Sequence, residues 1–226
     1  GNRYFGIELE IDGAGRDDDY AEELLDIANA HADLLYIKTD GSLDDGMELV
    51  SHPCTMDYHI NEFPWEDIMH RAVRQGYRSH QTSTCGLHLH VNRNAFSDNQ
   101  EEQDEVISRI LYFVEHHWNE LLKFSRRSEY AMNRWAARYG YEHTPKAIMD
   151  KAKKGGNGRY AAVNLCNYHT VEFRLFRGTL KYNTFIATIQ LVNRICDAAM
   201  YNTDDSIAKL SWSDFVADVT EPELIQ

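Results

Sequence analysis

The stretch CGLHLHVN, residues 85–92, decides how this chain folds. Leu87, Leu89 and Val91 alternate with Gly86, His88, His90 and Asn92, the period of two that marks a strand with one apolar and one polar face. Two imidazoles then project from the same side of one strand. Alone, such a pair decorates a solvated surface, touches a substrate or holds a metal ion, and the rest of the sequence has to decide.

Four more stretches repeat the pattern. YFGIELEID sets Phe5, Ile7, Leu9 and Ile11 against Gly6, Glu8, Glu10 and Asp12. GMELVS places Glu48 between Met47 and Leu49, AAVNLCN places Asn164 between Val163 and Leu165, and VEFRLF sets Val171, Phe173 and Leu175 against Glu172 and Arg174. Helical spacing runs through residues 17–35, 64–75, 100–124 and 184–200. KAKKGGNGR, residues 151–159, reads as a flexible basic loop. The expectation is an α+β protein in one domain over residues 1–226. Its mainly antiparallel sheet should carry helices on the apolar face and a second face rich in Glu, His, Arg and Asn.

Composition narrows the class. Of 226 residues, 43% are hydrophobic and 12% aromatic, enough for a sizeable core. The formal net charge of −13 argues against partners held by general attraction to anions, so neither nucleic acid nor a membrane surface is expected. Cys54, Cys85, Cys166 and Cys196 form no CxxC pair and read as reduced thiols of a cytoplasmic protein. No run is apolar enough for a membrane span, and no signal-peptide pattern is visible. The chain opens Gly-Asn-Arg and enters a strand almost at once, as a domain excised from a longer protein would.

The polar face is unusual for one that merely meets water. Its positions hold four glutamates, two histidines and an arginine, with no lysine among them. Two carboxylates ~6 Å apart at an effective dielectric near 20 repel by roughly 2.5–3 kcal/mol, and like charges opposite one another destabilise a sheet. Several together need a proton or a cation. Carboxylate oxygens with an imidazole suit Mg²⁺ or Mn²⁺ better than zinc.

In order along the chain, FGIELEI, DGSLDDGMELVS, CGLHLHVN, GRYAAVN and VEFRLFRGTL resemble the motifs of the amidoligase family. That family belongs to the carboxylate–amine ligase superfamily of glutamine synthetase and glutamate–cysteine ligase. The resemblance implies a glutamine synthetase-like catalytic domain, with a funnel-shaped site over the sheet that binds ATP and two or three Mg²⁺ ions. It implies amide or isopeptide formation between a carboxylate and an amine carried by amino acids, peptides or proteins. Glu8, Glu10, Glu48, His88 and Glu172 resemble the metal ligands, and His90 a neighbour of the metal ligands or of substrate. Arg174 resembles the arginine that touches the transferred phosphoryl group. Arg159, Asn164, Arg177 and Ser42 resemble phosphate- or substrate-side residues, and Asp40 a proton acceptor or an outer contact.

The chain also departs from the superfamily. In glutamine synthetase the similar DGS stretch precedes the paired-glutamate strand, whereas here Asp40 follows it. Two other readings stay open: a zinc hydrolase built on His88 and His90 with His169 as third ligand, and a ligase fold that has lost its chemistry and only binds.

Overall fold

Strands that alternate apolar and polar side chains pair until their apolar sides form one layer, which helices then cover. The structure, a computed structural model, describes residues 1–38, 45–79, 85–155 and 158–226. Its strands are β1 (Phe5–Asp12), β2 (Leu35–Lys38), β3 (Gly46–Ser51), β4 (Gly86–Asn92), β5 (Val163–Asn164) and β6 (Thr170–Arg177). They form one antiparallel sheet in the order β2-β3-β1-β4-β6-β5. The two strands richest in functional residues, β1 and β4, are therefore neighbours at its centre. Gly46 ends the β1–β3 ladder opposite Asp12, where a Cβ would lie 1.9 Å from the Ile11 carbonyl oxygen, so that close approach excludes any side chain.

The helices are α1 (Asp18–Ala28), α2 (Met56–Asn61), α3 (Trp65–Arg74), α4 (Gln100–His116), α5 (Trp118–Ser125) and α6 (Glu129–Trp135), followed by α7 (Pro145–Lys153), α8 (Tyr182–Tyr201), α9 (Asp204–Lys209), α10 (Trp212–Ala217) and α11 (Pro222–Ile225). Phe5, Ile7, Leu9 and Ile11 of β1, Leu87 and Leu89 of β4 and Phe173 of β6 are fully buried in one cluster with Ile107 and Ile110 of α4 and Ile189 and Val192 of α8. The apolar parity of the strands is thus the core, and their polar parity is left for the site. Among the described residues no helix is long and apolar enough to cross a membrane. The four cysteines are free thiols.

Local structure departs from the periodicity in three places. The helix expected over 17–35 stops at Ala28, and Leu35 begins β2. Asn29 causes the exit: its Oδ1 accepts from the backbone N–H groups of Leu34 and Leu35 at 2.8 and 2.9 Å, and its Nδ2 donates to the Leu35 carbonyl at 2.9 Å. The helix expected over 100–124 is two helices, broken at His117, whose backbone is non-helical and whose ring packs against Phe113 and Trp212. The expected basic loop begins as helix, since α7 runs to Lys153 behind a Thr144 N-cap and Pro145.

A β-bulge in β6 is the feature that matters most for the site. Leu89 pairs with Phe173, Leu87 with Phe176 and Gly86 with Arg177, so β6 uses one residue more than β4 across that span. Strict alternation would turn Arg177 toward the core with Val171, Phe173 and Leu175. The bulge returns it to the polar row opposite Gly86.

One buried histidine gives the fold a pH dependence. His59 is fully buried and stacks beside the Phe63–Trp65 pair. The Trp65 indole N–H donates to its Nδ1 at 3.0 Å, so its Nε2–H donates to the Phe5 carbonyl at 2.7 Å, which fixes a neutral ring. Burial, partly offset by that carbonyl, pushes its pKa down to about 4. The unfolded chain, with the ordinary value near 6.5, takes up the proton first as pH falls. The contribution is therefore intact above about pH 6.5 and is lost progressively toward pH 4. Urea unfolding at pH 7 and pH 5 should show about 2 kcal/mol less pH-dependent loss in His59→Gln than in the parent chain. The same loss in both proteins would mean that His59 is not held neutral.

Candidate active site

Antiparallel pairing lays the polar side chains out in rows, because directly paired residues point to the same face. Lys38 pairs with Glu48, Glu48 with Glu10, and Gly86 with Arg177. One step along, Glu8 pairs with His88. At the next step His90 pairs with Glu172, and Glu172 with Asn164. Over these rows lies a cavity of about 480 Å³. Its floor is Glu8, Glu10, Glu48, His88, His90 and Glu172, and Arg127, Trp135, Arg159, Tyr160 and Arg174 rise around it.

The floor is a network of carboxylates held apart by nitrogen. His90 Nε2 lies 3.1 Å from Glu8 Oε1 and 2.8 Å from Glu172 Oε2, and its Nδ1–H donates to Thr170 Oγ1 at 3.2 Å. Arg174 Nη1 donates to Glu172 Oε1 at 3.0 Å and reaches His88 Nδ1 at 3.4 Å. Asn164 Nδ2 gives Glu172 Oε1 a further hydrogen bond at 3.0 Å. His88 Nδ1 stands 3.5 Å from Glu8 Oε2, and its Nε2 stands 3.9 Å from Glu10 Oε1.

These contacts split the two histidines. Burial opposes the charge on His90, but its hydrogen bonds to Glu172 and Glu8 outweigh burial and raise its pKa to about 9, so it is an imidazolium at neutral pH. Burial dominates at His88 and lowers its pKa, leaving a neutral ring with a lone pair to offer. The carboxylates answer in kind. Burial opposes ionisation of Glu172, but the His90 hydrogen bond and the charges of His90 and Arg174 bring it to about 2. Glu8 is likewise held well below the usual carboxylate range, with burial overcome by hydrogen bonds from His88 and His90 and by the charge of His90. At neutral pH both stay ionised.

Glu8, His88 and Glu172 each offer one ligand atom, and these atoms lie within 4.8 Å of one another. Two ionised carboxylates with one neutral imidazole fit a hard divalent cation, and the mixed oxygen-rich set suits Mg²⁺ or Mn²⁺. Glu10 and Glu48 adjoin this group along the rows.

Of the residues singled out in the sequence, Glu8, Glu10, Glu48, His88, His90, Arg159, Asn164, Glu172 and Arg174 come together around this one cavity. Arg177 stands on the polar row but does not line it. Asp40 and Ser42 lie outside the described residues. His169 lines a different groove, so it does not join His88 and His90.

Lys38, Arg127, Trp135 and Tyr160 were missed. Lys38 corrects the expectation of a lysine-free polar face: it sat beyond an overextended helix, and only the strand pairing shows it opposite Glu48. Arg127 and Trp135 come from the end of α5 and from α6, outside any strand, and no local signal marks them. Tyr160 follows Arg159 in GRYAAVN, so it was within reach of the motif reading. Its ring lies 4.9 Å from the Arg159 guanidinium and 5.7 Å from that of Arg174.

A family model described as "Putative amidoligase enzyme" matches residues 27–196. The matched span starts after β1 and takes in Glu48, His88, His90, Glu172 and Arg174. No curated protein matches the sequence.

His90 clamps Glu8 to Glu172 across three strands, and removing it leaves two carboxylates without their shared cation. His90→Ala should cost about 3 kcal/mol of stability in metal-free buffer, the usual loss on breaking a buried charge pair. Urea unfolding in the presence of a chelator measures it. An unfolding free energy equal to the parent's would contradict the clamp.

Proposed function

The chain belongs to the amidoligase family, and from that premise we propose that it is an ATP-dependent carboxylate–amine ligase. On this reading the sheet and its helices are a glutamine synthetase-like catalytic domain, and the cavity is its funnel. The observation that carries the reading is the pairing of an ionised carboxylate–imidazole set, Glu8, His88 and Glu172, with an arginine, Arg174, on the same cavity.

The chemistry calls for those residue types. A carboxylate is a poor acylating agent because its leaving group would be oxide. One of its oxygens attacks the γ-phosphorus of ATP, the bond to the β,γ-bridging oxygen breaks, and ADP leaves behind an acyl phosphate. An amine then attacks the acyl carbon and expels phosphate, giving an amide or isopeptide bond. Glu8, His88 and Glu172, joined by Glu10 and Glu48, are the residues that would hold magnesium. When bound, magnesium neutralises phosphate oxygens in a step governed by charge and positioning.

The chain's own residues do the rest. Glu172 and His88 hold Arg174 Nη1 over the floor, so its charge is aimed where phosphoryl negative charge develops. Arg159 and Asn164 stand on the Tyr160 side of the cavity, where the polyphosphate tail would lie. The attacking amine must lose a proton, and an ionised carboxylate at the floor accepts it. The acid and amine are carried by amino acids, peptides or proteins.

Among the described residues no third histidine joins His88 and His90 for the zinc-hydrolase reading, because His169 lines another groove, and His90 is taken up by Glu8, Glu172 and Thr170. Incubation with Mg-ATP and a panel of carboxylates and amines, read by mass spectrometry, should release ADP and yield a condensed product. Glu8→Gln, Glu172→Gln and Arg174→Ala should each lower turnover by at least about a hundredfold, the scale of losing one preorganised charge contact, while circular dichroism stays unchanged. ADP release at the parent rate in any of the three would sink the assignment, and one tightly bound zinc without nucleotide binding would replace it.

A further inference from the structure

Opposite the carboxylate floor, the cavity wall carries more guanidinium than the floor uses. Arg174 is committed through Nη1, yet its Nε is buried without a hydrogen-bond partner. The Nε of Arg177 is in the same condition. Protein closes over both Nε atoms, so an oxyanion entering the cavity meets instead the Nη2 of Arg174, which lines it and has no hydrogen bond among the described residues.

Arg127 completes the group. Its Nη1 donates to the Arg174 carbonyl at 3.1 Å, and no other side-chain hydrogen bond engages it among the described residues. Its charge sits close to Glu10, but also close enough to Arg174 and Arg177 to be repelled by both. Glu172 and Glu10 answer Arg174 and Arg127 from the floor, and both guanidiniums also line the cavity.

Two backbone features put Arg127 there. The preceding residue, Arg126, has φ +59°, the left-handed region that a non-glycine side chain adopts at a cost of about 1–3 kcal/mol. Ser125 Oγ then accepts the Arg127 N–H at 3.1 Å and locks the turn. On the sheet below, Gly86 leaves room: a Cβ there would stand 2.6 Å from Arg127 Nη2.

We propose that Arg127 is a further substrate-contacting residue, which with Arg174 grips an oxyanion against the wall while Arg177 adds its charge from behind. The ligand is a carboxylate or phosphoryl group, whose paired oxygens match the fork of a guanidinium. The inference rests on the ligase reading only for which oxyanion this is: the acid substrate or the phosphoryl group it receives.

The test is isothermal titration of the full chain, in magnesium, with inorganic phosphate, with succinate, and separately with ADP. Parent, Arg127→Ala and Arg127→Lys are compared. The parent should bind phosphate or succinate, and the tighter of the two identifies the source. Arg127→Ala should bind that probe at least about tenfold more weakly, the scale of one charge-assisted contact. Arg127→Lys should recover part of the loss, and ADP affinity should be unchanged in all three. A parent that binds neither probe, an alanine variant that binds them equally well, or a variant that loses ADP along with them would overturn the proposal. If ADP fails to bind the parent while Arg127-dependent binding persists, the ligase reading falls and the oxyanion pocket stands. Should the alanine variant fail to fold, the guanidinium N–H resonances of Arg127 and Arg174 in the parent decide. They shift with phosphate or succinate if the pocket is real, and stay still if it is not.

Discussion

The polar half of this protein is organised by one constraint: carboxylates from neighbouring strands cannot share a sheet face without cations between them. Glu8, Glu10, Glu48 and Glu172 come from three strands and converge on one cavity. The chain supplies its own partial answer. His90 stays protonated and bridges Glu8 to Glu172, Arg174 holds the far oxygen of Glu172, Lys38 faces Glu48 and Arg127 sits near Glu10. Each countercharge arrives from a different element, so the sheet order and the α5–α6 turn are both needed to build the floor. His88 alone is kept neutral by burial, and it stands where two ionised carboxylates already point.

Much of this was legible in the sequence, because a strand writes its two faces as alternate letters. The parity of FGIELEID and GLHLHVN located the core and the polar face together, and VEFRLF added Glu172 and Arg174. What alternation cannot carry is a change of parity. The bulge between Arg174 and Arg177 leaves no mark in residue type, since two arginines fit either face of a polar strand. Helical periodicity misled at residues 29–35 for a similar reason: Leu35 keeps the helical spacing, while a single asparagine ends the helix through its side chain. Arg127 was invisible because its place depends on a left-handed residue before it and a glycine on another element. DGS, with Asp40 and Ser42, lies outside the described residues.

The result is a cavity divided by charge, with an acidic floor on the sheet and a basic wall from β6, the α5–α6 turn and the Arg159–Tyr160 segment. Such a division suits a ligand that is itself divided, as a metal-bound polyphosphate is, with cations toward the carboxylates and oxygens toward the arginines. The apolar face contributes by rigidity. Phe5, Ile7 and Leu9 alternate with the floor residues of β1, and their full burial keeps that strand from slipping in register.

The most direct test of the central claim, that the acidic sheet face is a site for divalent cations working with a nucleotide, is a Mn²⁺ titration followed by electron paramagnetic resonance. It should be run with and without ADP on the parent chain. The account predicts specific uptake of Mn²⁺ that tightens when ADP is present. Free Mn²⁺ signal undiminished by the protein, with ADP or without it, would contradict it.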